Sequence, residues 1–328
     1  MTIAIIIILM AIIFDFYNGM NDAANSIATV VSTRVLTPFQ AVAWAASFNF
    51  IAAFTFGVSV ANTIGKGIVD PAIIDNAVIF SALTGAIITS ATATHLGYPI
   101  SISHAIIGGL GGAAITKAGP AALILSGYLK VFLFIFLAPI IGLVIAVIFS
   151  IVTLWIVKDS MPRKVDHIFR KLQLFSAGLY SLSHGTNDAQ KTMGIISIVL
   201  FSNGFINTFY VPFWVVILSH TVIAAGTFVG GWKVIKTLGM RMTKLTPFSG
   251  FSAETSAGLT IIGASIFGIP VSTTHTITGS ITGVGIIKGL SGIKWQVAKN
   301  ILWAWILTIP LSSLFSFLTY MIIIKFFK

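Results

Sequence analysis

Two short patterns pair polar or ionisable side chains with helix-disfavouring residues inside otherwise apolar sequence, and each occurs twice, in the same order, about half a chain apart. The first is Gly-x-Asn-Asp-Ala, at Gly19, Asn21, Asp22 and Ala23 and again at Gly185, Asn187, Asp188 and Ala189. The second is Pro-x-Ser-x-Ser/Thr-His, at Pro99, Ser101, Ser103 and His104 and again at Pro270, Ser272, Thr274 and His275. An aspartate in a hydrocarbon environment costs roughly 2.5–3.5 kcal/mol on insertion scales, so its placement there marks function by default. Its duplication points to two repeats that share one site near the midplane of a membrane.

That argument requires a membrane protein, and composition supplies one. The chain is 56% hydrophobic and 8% charged, with a mean hydropathy of +1.01, whereas a soluble domain averages about 25% charged residues. A crossing helix needs about 20 apolar residues, and runs of that size fall near 2–33, 38–63, 73–96, 120–157, 172–200, 209–232, 248–267 and 297–324. The first and fourth are too long for one straight crossing without a break or a strong tilt. The expected class is therefore all-α and polytopic.

The formal charge of +11 would suit nucleic acid, but its distribution excludes that. Lys158, Arg163, Lys164, Arg170 and Lys171 cluster in one stretch, and Lys233, Lys236, Arg241 and Lys244 in another, two spans further on. Both then lie on one side of the membrane, and the excess of basic residues makes that side cytoplasmic. Anionic lipid headgroups are partner enough for these charges. There is no cysteine, hence no disulfide and no thiolate metal site. The N-terminus lacks a basic leader region and runs straight into Asp15, which reads as a retained segment rather than a signal peptide.

Residues 80–112 laid over 251–283 match at 14 of 33 positions, including Phe80/Phe251, Thr84/Thr255, Pro99/Pro270, His104/His275 and Gly112/Gly283. A duplicated unit follows, divided as 1–157, a basic cytoplasmic linker at 158–171, and 172–328. Whether the two repeats are parallel or inverted depends on an extra crossing within 98–157, and the residues alone leave both open.

The Asn-Asp motif sits mid-run, and its Gly, Asn and Asp favour helix ends. It predicts a helix that stops and restarts, with freed carbonyls and the Asp22 carboxylate suited to a cation and restarted amides suited to an anion. Asn25 and Ser26 follow one turn on. In the second copy Lys191 stands in place of Asn25, as counter-charge to an anion or to Asp188, or as a lysine snorkelling to the interface. His184 reads as a packing or hydrogen-bonding residue.

The Pro-Ser-His segments predict re-entrant helical hairpins, permissible at depth only where they line a cavity. Their prolines stop the incoming helix and start the next. Their tips present hydroxyls suited to an oxyanion, and Gly108-x-x-x-Gly112 and Gly279-x-x-x-Gly283 read as packing seams. Two carboxylates repel an anion strongly in low dielectric, so a bound cation or proton must intervene. Glu254, the single glutamate, is a further candidate for that ion chemistry.

The motifs Gly-x-Asn-Asp-Ala-Ala-Asn-Ser and Ser-His-Gly-Thr-Asn-Asp-Ala-Gln-Lys, with Pro-Ile-Ser-Ile-Ser-His and Pro-Val-Ser-Thr-Thr-His, resemble the inorganic phosphate transporter (PiT) family. So does Gly231-Trp232-Lys233-Val234-Ile235-Lys236-Thr237-Leu238-Gly239, followed by Ser249-Gly250-Phe251 and Glu254. The similarity spans essentially the whole chain. It implies symport of inorganic phosphate with sodium or protons, inverted repeats, and a site built from broken helices and hairpin tips. The implied phosphate contacts are Asn25, Ser101, Ser103, Ser272, Thr273 and Thr274, to which the chemistry of the residues themselves adds Lys191. The implied cation contacts are Asn21, Asp22, Asn187 and Asp188, with sodium expected at Asp22 and Asp188, and residue chemistry adds Glu254. The family's animal members carry a glutamate where this chain has Asn49, and a long central domain where it has only the basic linker.

The reading is thus a secondary transporter of the plasma membrane, with phosphate, a monovalent cation and the lipid bilayer as partners, no cofactor, and a homodimer left open. A sulfate carrier of the same fold, a passive anion channel built from half-helices, and an intramembrane enzyme using Ser and His are the competing readings.

Overall fold

The computed structural model describes residues 1–55 and 57–326, without the side chains of 239–241. Phe56, inside the expected 38–63 span, and the side chains of Met240 and Arg241 therefore lie outside what is described. The described residues form twelve α-helices and no strand. They are α1 (Thr2–Ser32), α2 (Pro38–Ile51), α3 (Ser59–Lys66), α4 (Asn76–Leu96), α5 (Ile102–Ala118), α6 (Leu125–Val157), α7 (Pro162–Ser202), α8 (Phe213–Val229), α9 (Trp232–Arg241), α10 (Pro247–Ile266), α11 (Thr273–Ile286) and α12 (Trp295–Phe326).

Four of these, α1, α4, α6 and α12, are long and apolar enough to cross a membrane, and the bent pairs α2–α3 and α8–α9 would make up to six. The expected spans at 172–200 and 248–267 are helical as α7 and α10 but fall outside that apolar class. Both are packed within the protein over much of their length, so they need no broad lipid-facing apolar surface. The exposed large apolar side chains concentrate instead on helices such as α6 and α12, among them Phe132, Phe136, Ile140, Leu307, Leu314 and Met321.

The expected break at the Asn-Asp motifs does not occur. Helix α1 runs unbroken through Gly19–Asn25, and α7 unbroken through Gly185–Lys191. The physical reason lies in what the side chains do. Asn21 and Asn187 bond across to neighbouring helices instead of capping their own backbone. The glycines mark close approach: a Cβ on Gly19 would lie 2.1 Å from the Ile223 carbonyl oxygen, and one on Gly185 2.8 Å from that of Asn49.

The helical hairpins do form. Helix α4 ends at Gly97 and α10 runs out just before Gly268, at φ of 82° and 66°, a left-handed conformation that glycine adopts without strain. After each turn a serine caps the returning helix: Ser101 accepts from the His104 amide (3.3 Å) and Ser272 from the His275 amide (3.2 Å). The prolines sit two residues before these caps, in the turn, and not at the first helical position as expected.

Hydrogen bonds fix how the elements run. Thr33 Oγ1 donates to Gln173 Oε1 (2.8 Å), and Arg170 Nη1 to the Arg34 carbonyl (3.2 Å), so the end of α1 meets the beginning of α7 and the two helices are antiparallel. Phe169 packs against Phe248 and Phe251, which puts the start of α10 at that same end. The basic stretch preceding α7 and Lys244 therefore share one end of the molecule, as the charge pattern requires. At the opposite end Asn76 and Asn203 exchange amide hydrogen bonds (3.0 and 2.8 Å), and α4 starts from there. Lys117 pairs with Asp75 (2.6 Å), returning α5 to the end at which α4 began. Lys288 Nζ bonds to the Lys244 carbonyl (2.9 Å), returning α11 to the end at which α10 began.

The halves exchange partners. Helix α12 packs on the α4–α5 hairpin and α6 on the α10–α11 hairpin, while α8 lies on α1 and α2 on α7. The two glycine seams are these contacts: a Cβ on Gly108 or Gly112 would lie 2.7 or 2.5 Å from carbonyl oxygens of α12, and one on Gly279 or Gly283 2.1 or 2.6 Å from those of α6. The packing interpretation of these glycines holds. Gly279→Ala should accordingly lower stability by about 1–3 kcal/mol through overpacking, read as a drop in thermal denaturation midpoint of the purified protein. Gly263→Ala, where nothing lies within 4 Å, should leave the midpoint unchanged or slightly raised.

Candidate functional site

The antiparallel α1 and α7 bring the two Asn-Asp motifs side by side, and the hairpin tips close over them from opposite ends. Ser103 Oγ donates to the Val271 carbonyl (3.1 Å), and Thr274 Oγ1 donates to the Ile100 carbonyl (3.0 Å). Ser103 and Thr274 occupy matching positions in the two halves, as do Ile100 and Val271, so the two tips clasp each other reciprocally. Behind them the rings of His104 and His275 meet edge to face at 4.7 Å.

Asp22 and Asp188 lie beneath this clasp, each 1% exposed. Thr273 Oγ1 reaches Asp22 Oδ2 (3.1 Å) and Asp188 Oδ2 (3.2 Å), its single proton serving one carboxylate at a time. Thr274 Oγ1 lies 3.2 Å from Asp22 Oδ1 and accepts from Asn25 Nδ2 (2.9 Å). Lys191 is fully buried and donates to both Asp188 Oδ1 and Ser103 Oγ, with the Val271 carbonyl at 3.3 Å. Lys191 is thus a counter-charge to Asp188 that also touches a tip hydroxyl. The snorkelling alternative is overturned.

Asn21 and Asn187 play matching parts. Asn21 Nδ2 donates to Thr94 Oγ1 (2.9 Å) and toward the Tyr98 carbonyl (3.5 Å); Asn187 Nδ2 donates to Ser265 Oγ (2.9 Å) and the Ile269 carbonyl (3.4 Å). Each holds the incoming arm of one hairpin against a motif helix, and each keeps a buried side-chain carbonyl oxygen with no protein partner. Ser101 and Ser272 are spent as helix caps, accepting from their own helices' amides.

Glu254 is not brought to this cluster. Gln173 Nε2 (3.0 Å) and Ser176 Oγ donate to its carboxylate. Ser176 lies twelve residues before Asp188 on one continuous helix, or about 18 Å along the axis. Glu254 belongs to a separate polar network near the basic end.

His184, read from sequence as a packing or hydrogen-bonding residue, stands between the carboxylates. Its Nε2 is 3.3 Å from Asp188 Oδ2 and 3.7 Å from Asp22 Oδ2, without a directed hydrogen bond to either. Its Nδ1 lies 3.1 Å from Asn49 Oδ1, and Asn49 Nδ2 donates to Thr227 Oγ1 (2.9 Å). One ligand atom each from Asp22, His184 and Asp188 falls within 4.8 Å of the others, a geometry that can hold a cation. Tyr180 was missed altogether; its hydroxyl donates to the Thr273 carbonyl (3.3 Å). The four-residue spacing of His184 and Asp188, which puts them on one helix face, was the available signal. Ser103 bonds away from His104, to Val271 and Lys191, so the pair forms no nucleophile–base couple.

Removing one member of a buried ion pair leaves the other charge uncompensated, at a cost of about 3–5 kcal/mol. Lys191→Met should therefore sharply lower the thermal midpoint of the purified protein. Adding Asp188→Asn to it should restore most of the loss; a double variant no more stable than Lys191→Met would show that the pair does not couple.

With the geometry in place, likeness to known proteins bears on identity. The model of the family described as phosphate transporter family matches residues 18–164 and again 157–316. The chain is 51% identical to a probable low-affinity inorganic phosphate transporter of Rhizobium meliloti, over 96% of its own length and 94% of the relative's. It is 43% identical to a probable low-affinity inorganic phosphate transporter of Bacillus subtilis, over 98% and 97% of the two chains. A solved structure, "The sodium-dependent phosphate transporter", matches with a TM-score of 0.88 at 28% identity, covering 99% of this chain and 100% of that one. The relatives are transporters, which sets the enzyme reading aside. The chain is a multi-pass membrane protein and belongs to the phosphate transporter family.

Proposed function

We propose that this chain imports inorganic phosphate across the cell membrane by symport with a cation, sodium in the first place, through alternating access at the Asp22–Asp188 cluster. The halves act as inverted repeats, and the α4–α5 and α10–α11 hairpins are re-entrant, with the basic end facing the cytoplasm. The observation that carries this reading is the reciprocal clasp of the hairpin tips over two buried carboxylates.

The clasp places the N-termini of α5 and α11 against each other. First-turn amides and helix dipoles favour an anion there, and Ser103, Thr273 and Thr274 add neutral donors when they exchange the carbonyl and carboxylate acceptors they hold in the clasp for the anion. Two carboxylates beside that anion are repulsive by about 4 kcal/mol per pair of unit charges at 4 Å and an effective dielectric of 20. One lysine does not offset both, so the anion enters with a cation. Asp22 and Asp188, the Thr273 hydroxyl and the unpartnered carbonyl oxygens of Asn21, Asn25 and Asn187 are the oxygen ligands a hard cation takes.

Phosphate is favoured over sulfate by the same carboxylates. Monohydrogen phosphate keeps one O–H that a carboxylate accepts, and sulfate has none, which would leave a buried acceptor facing a bare oxyanion. Access is supported by two cavities. One of about 610 Å³ touches the first tip at Leu96, Tyr98 and Ile100 and is walled by α12. Another of about 350 Å³ touches the second tip at Gly268, Ile269 and Pro270 and is walled by α6. They occupy matching places in the two halves, so opening the clasp toward one or the other would expose the site to alternate sides.

In proteoliposomes with an imposed sodium gradient, Asp22→Asn should abolish gradient-driven uptake of radiolabelled phosphate while the protein remains folded. Asp188→Asn should abolish it too, compared in the Lys191→Met background that removes its unpaired partner charge. Uptake at the unmutated rate in either variant, with unchanged ion dependence, would remove the assignment. Ser103→Ala and Thr274→Ala each delete a donor to a charged ligand, worth about 1.5–3 kcal/mol. Phosphate affinity should fall roughly ten- to a hundred-fold, with Ser126→Ala as the unaffected control.

A further inference from the structure

The polar face of α1 does not end at the central cluster. Residues Asp15, Asn18, Asp22 and Asn25 are spaced by three, four and three, which keeps them on one side of a helix. Asp15 is two turns from Asp22, about 10 Å along the axis, toward the end of the molecule remote from the basic stretches. It is fully buried, and neither of its carboxylate oxygens has a hydrogen-bond partner. The polar side chains nearest it are Asn18, of the same helix, and Thr192, of α7, with the charges of Asp188 and His184 acting on it from further along α7. Both side-chain atoms of Asn18 and the Thr192 hydroxyl are likewise buried and unpartnered. Thr192 lies one turn beyond Asp188, so the group continues the polar face of α7 as well as that of α1.

We propose that Asp15, Asn18 and Thr192 form a second monovalent-cation site, a sodium site, on the approach to the central cluster from the end opposite the basic stretches. A lone ionised carboxylate in a packed interior is strongly disfavoured without a counter-charge, and no lysine, arginine or histidine pairs with Asp15 among the described ion pairs. The three side chains together offer four oxygens and no competing cation, the donor set of a hard ion. The site is particular to the first half: the matching positions in the second are Ser181 and His184, and His184 already stands between the central carboxylates. A cation held at Asp15 is thus two helical turns from the carboxylates it would next join.

This inference deepens the cation-coupling reading and rests on it, but its test needs no transport and no phosphate. Equilibrium binding of radiolabelled sodium to the purified protein is counted for the unmutated chain, Asp15→Asn, Asp22→Asn and the double variant. Asp15→Asn should lose one bound sodium per chain, Asp22→Asn should lose a different one, and the double variant should lose both. Sodium bound by Asp15→Asn in the same number and with the same affinity as by the unmutated chain would overturn the site. An Asp22→Asn variant that binds normally while Asp15→Asn does not would instead count against the central site alone. Asp15→Ser, which installs the residue found at the matching position, is the second variant should the asparagine form fail to fold, and the same outcomes apply to it.

Discussion

Two carboxylates held a few ångströms apart, out of reach of water, are the constraint to which the rest of this molecule is fitted. Asp22 and Asp188 repel each other and any anion brought near them, so every element around them either compensates charge or excludes solvent. Lys191 and the Thr273 hydroxyl answer part of the demand, and His184, steered by Asn49, stands where it touches both. What remains unanswered is positive charge, and under the proposed symport a cation carried with the anion supplies it.

Holding that cluster requires both halves at once. Each hairpin tip is bonded to the other, and each is braced by an asparagine of a motif helix. The outer helices are exchanged, α12 covering the first hairpin and α6 the second. Neither half can bury its own polar residues without its counterpart, which explains why duplication in the chain corresponds to a single site. The glycine seams let these helices approach closely enough to exclude lipid and water from the motif residues.

Much of this was legible from residue types. Carboxylates, asparagines and hydroxyls set in apolar runs identified the components because burying them is costly, whereas it was the fold that assigned Ser101 and Ser272 to helix capping. The unbroken course of α1 and α7 was not legible, because local preference for a helix end at Gly-x-Asn-Asp competes with tertiary partners that only the fold supplies: Thr94 for Asn21, Ser265 for Asn187. Glu254 looked equivalent to the other acids by burial alone; only its place near the start of α7 separates it from them. Tyr180 gave no local signal, since an aromatic in an apolar helix is an ordinary packing residue until its neighbours are known. Asn49 stood out only as a departure from the family it resembles, with its bond to His184 unforeseen. The charge pattern, by contrast, placed the 158–171 stretch and Lys244 at one end without help, since that inference needs only the number of crossings between them.

The central claim is that phosphate sits where the two hairpin tips meet, above Asp22 and Asp188. Arsenate is a tetrahedral stand-in for phosphate with a strong anomalous signal at the arsenic absorption edge. Crystals of the purified protein grown with arsenate and sodium should show one arsenic peak per chain within hydrogen-bonding reach of Ser103, Thr273 and Thr274. A peak confined to either tip cavity, or at the Glu254 network, with none at the clasp, would contradict the account.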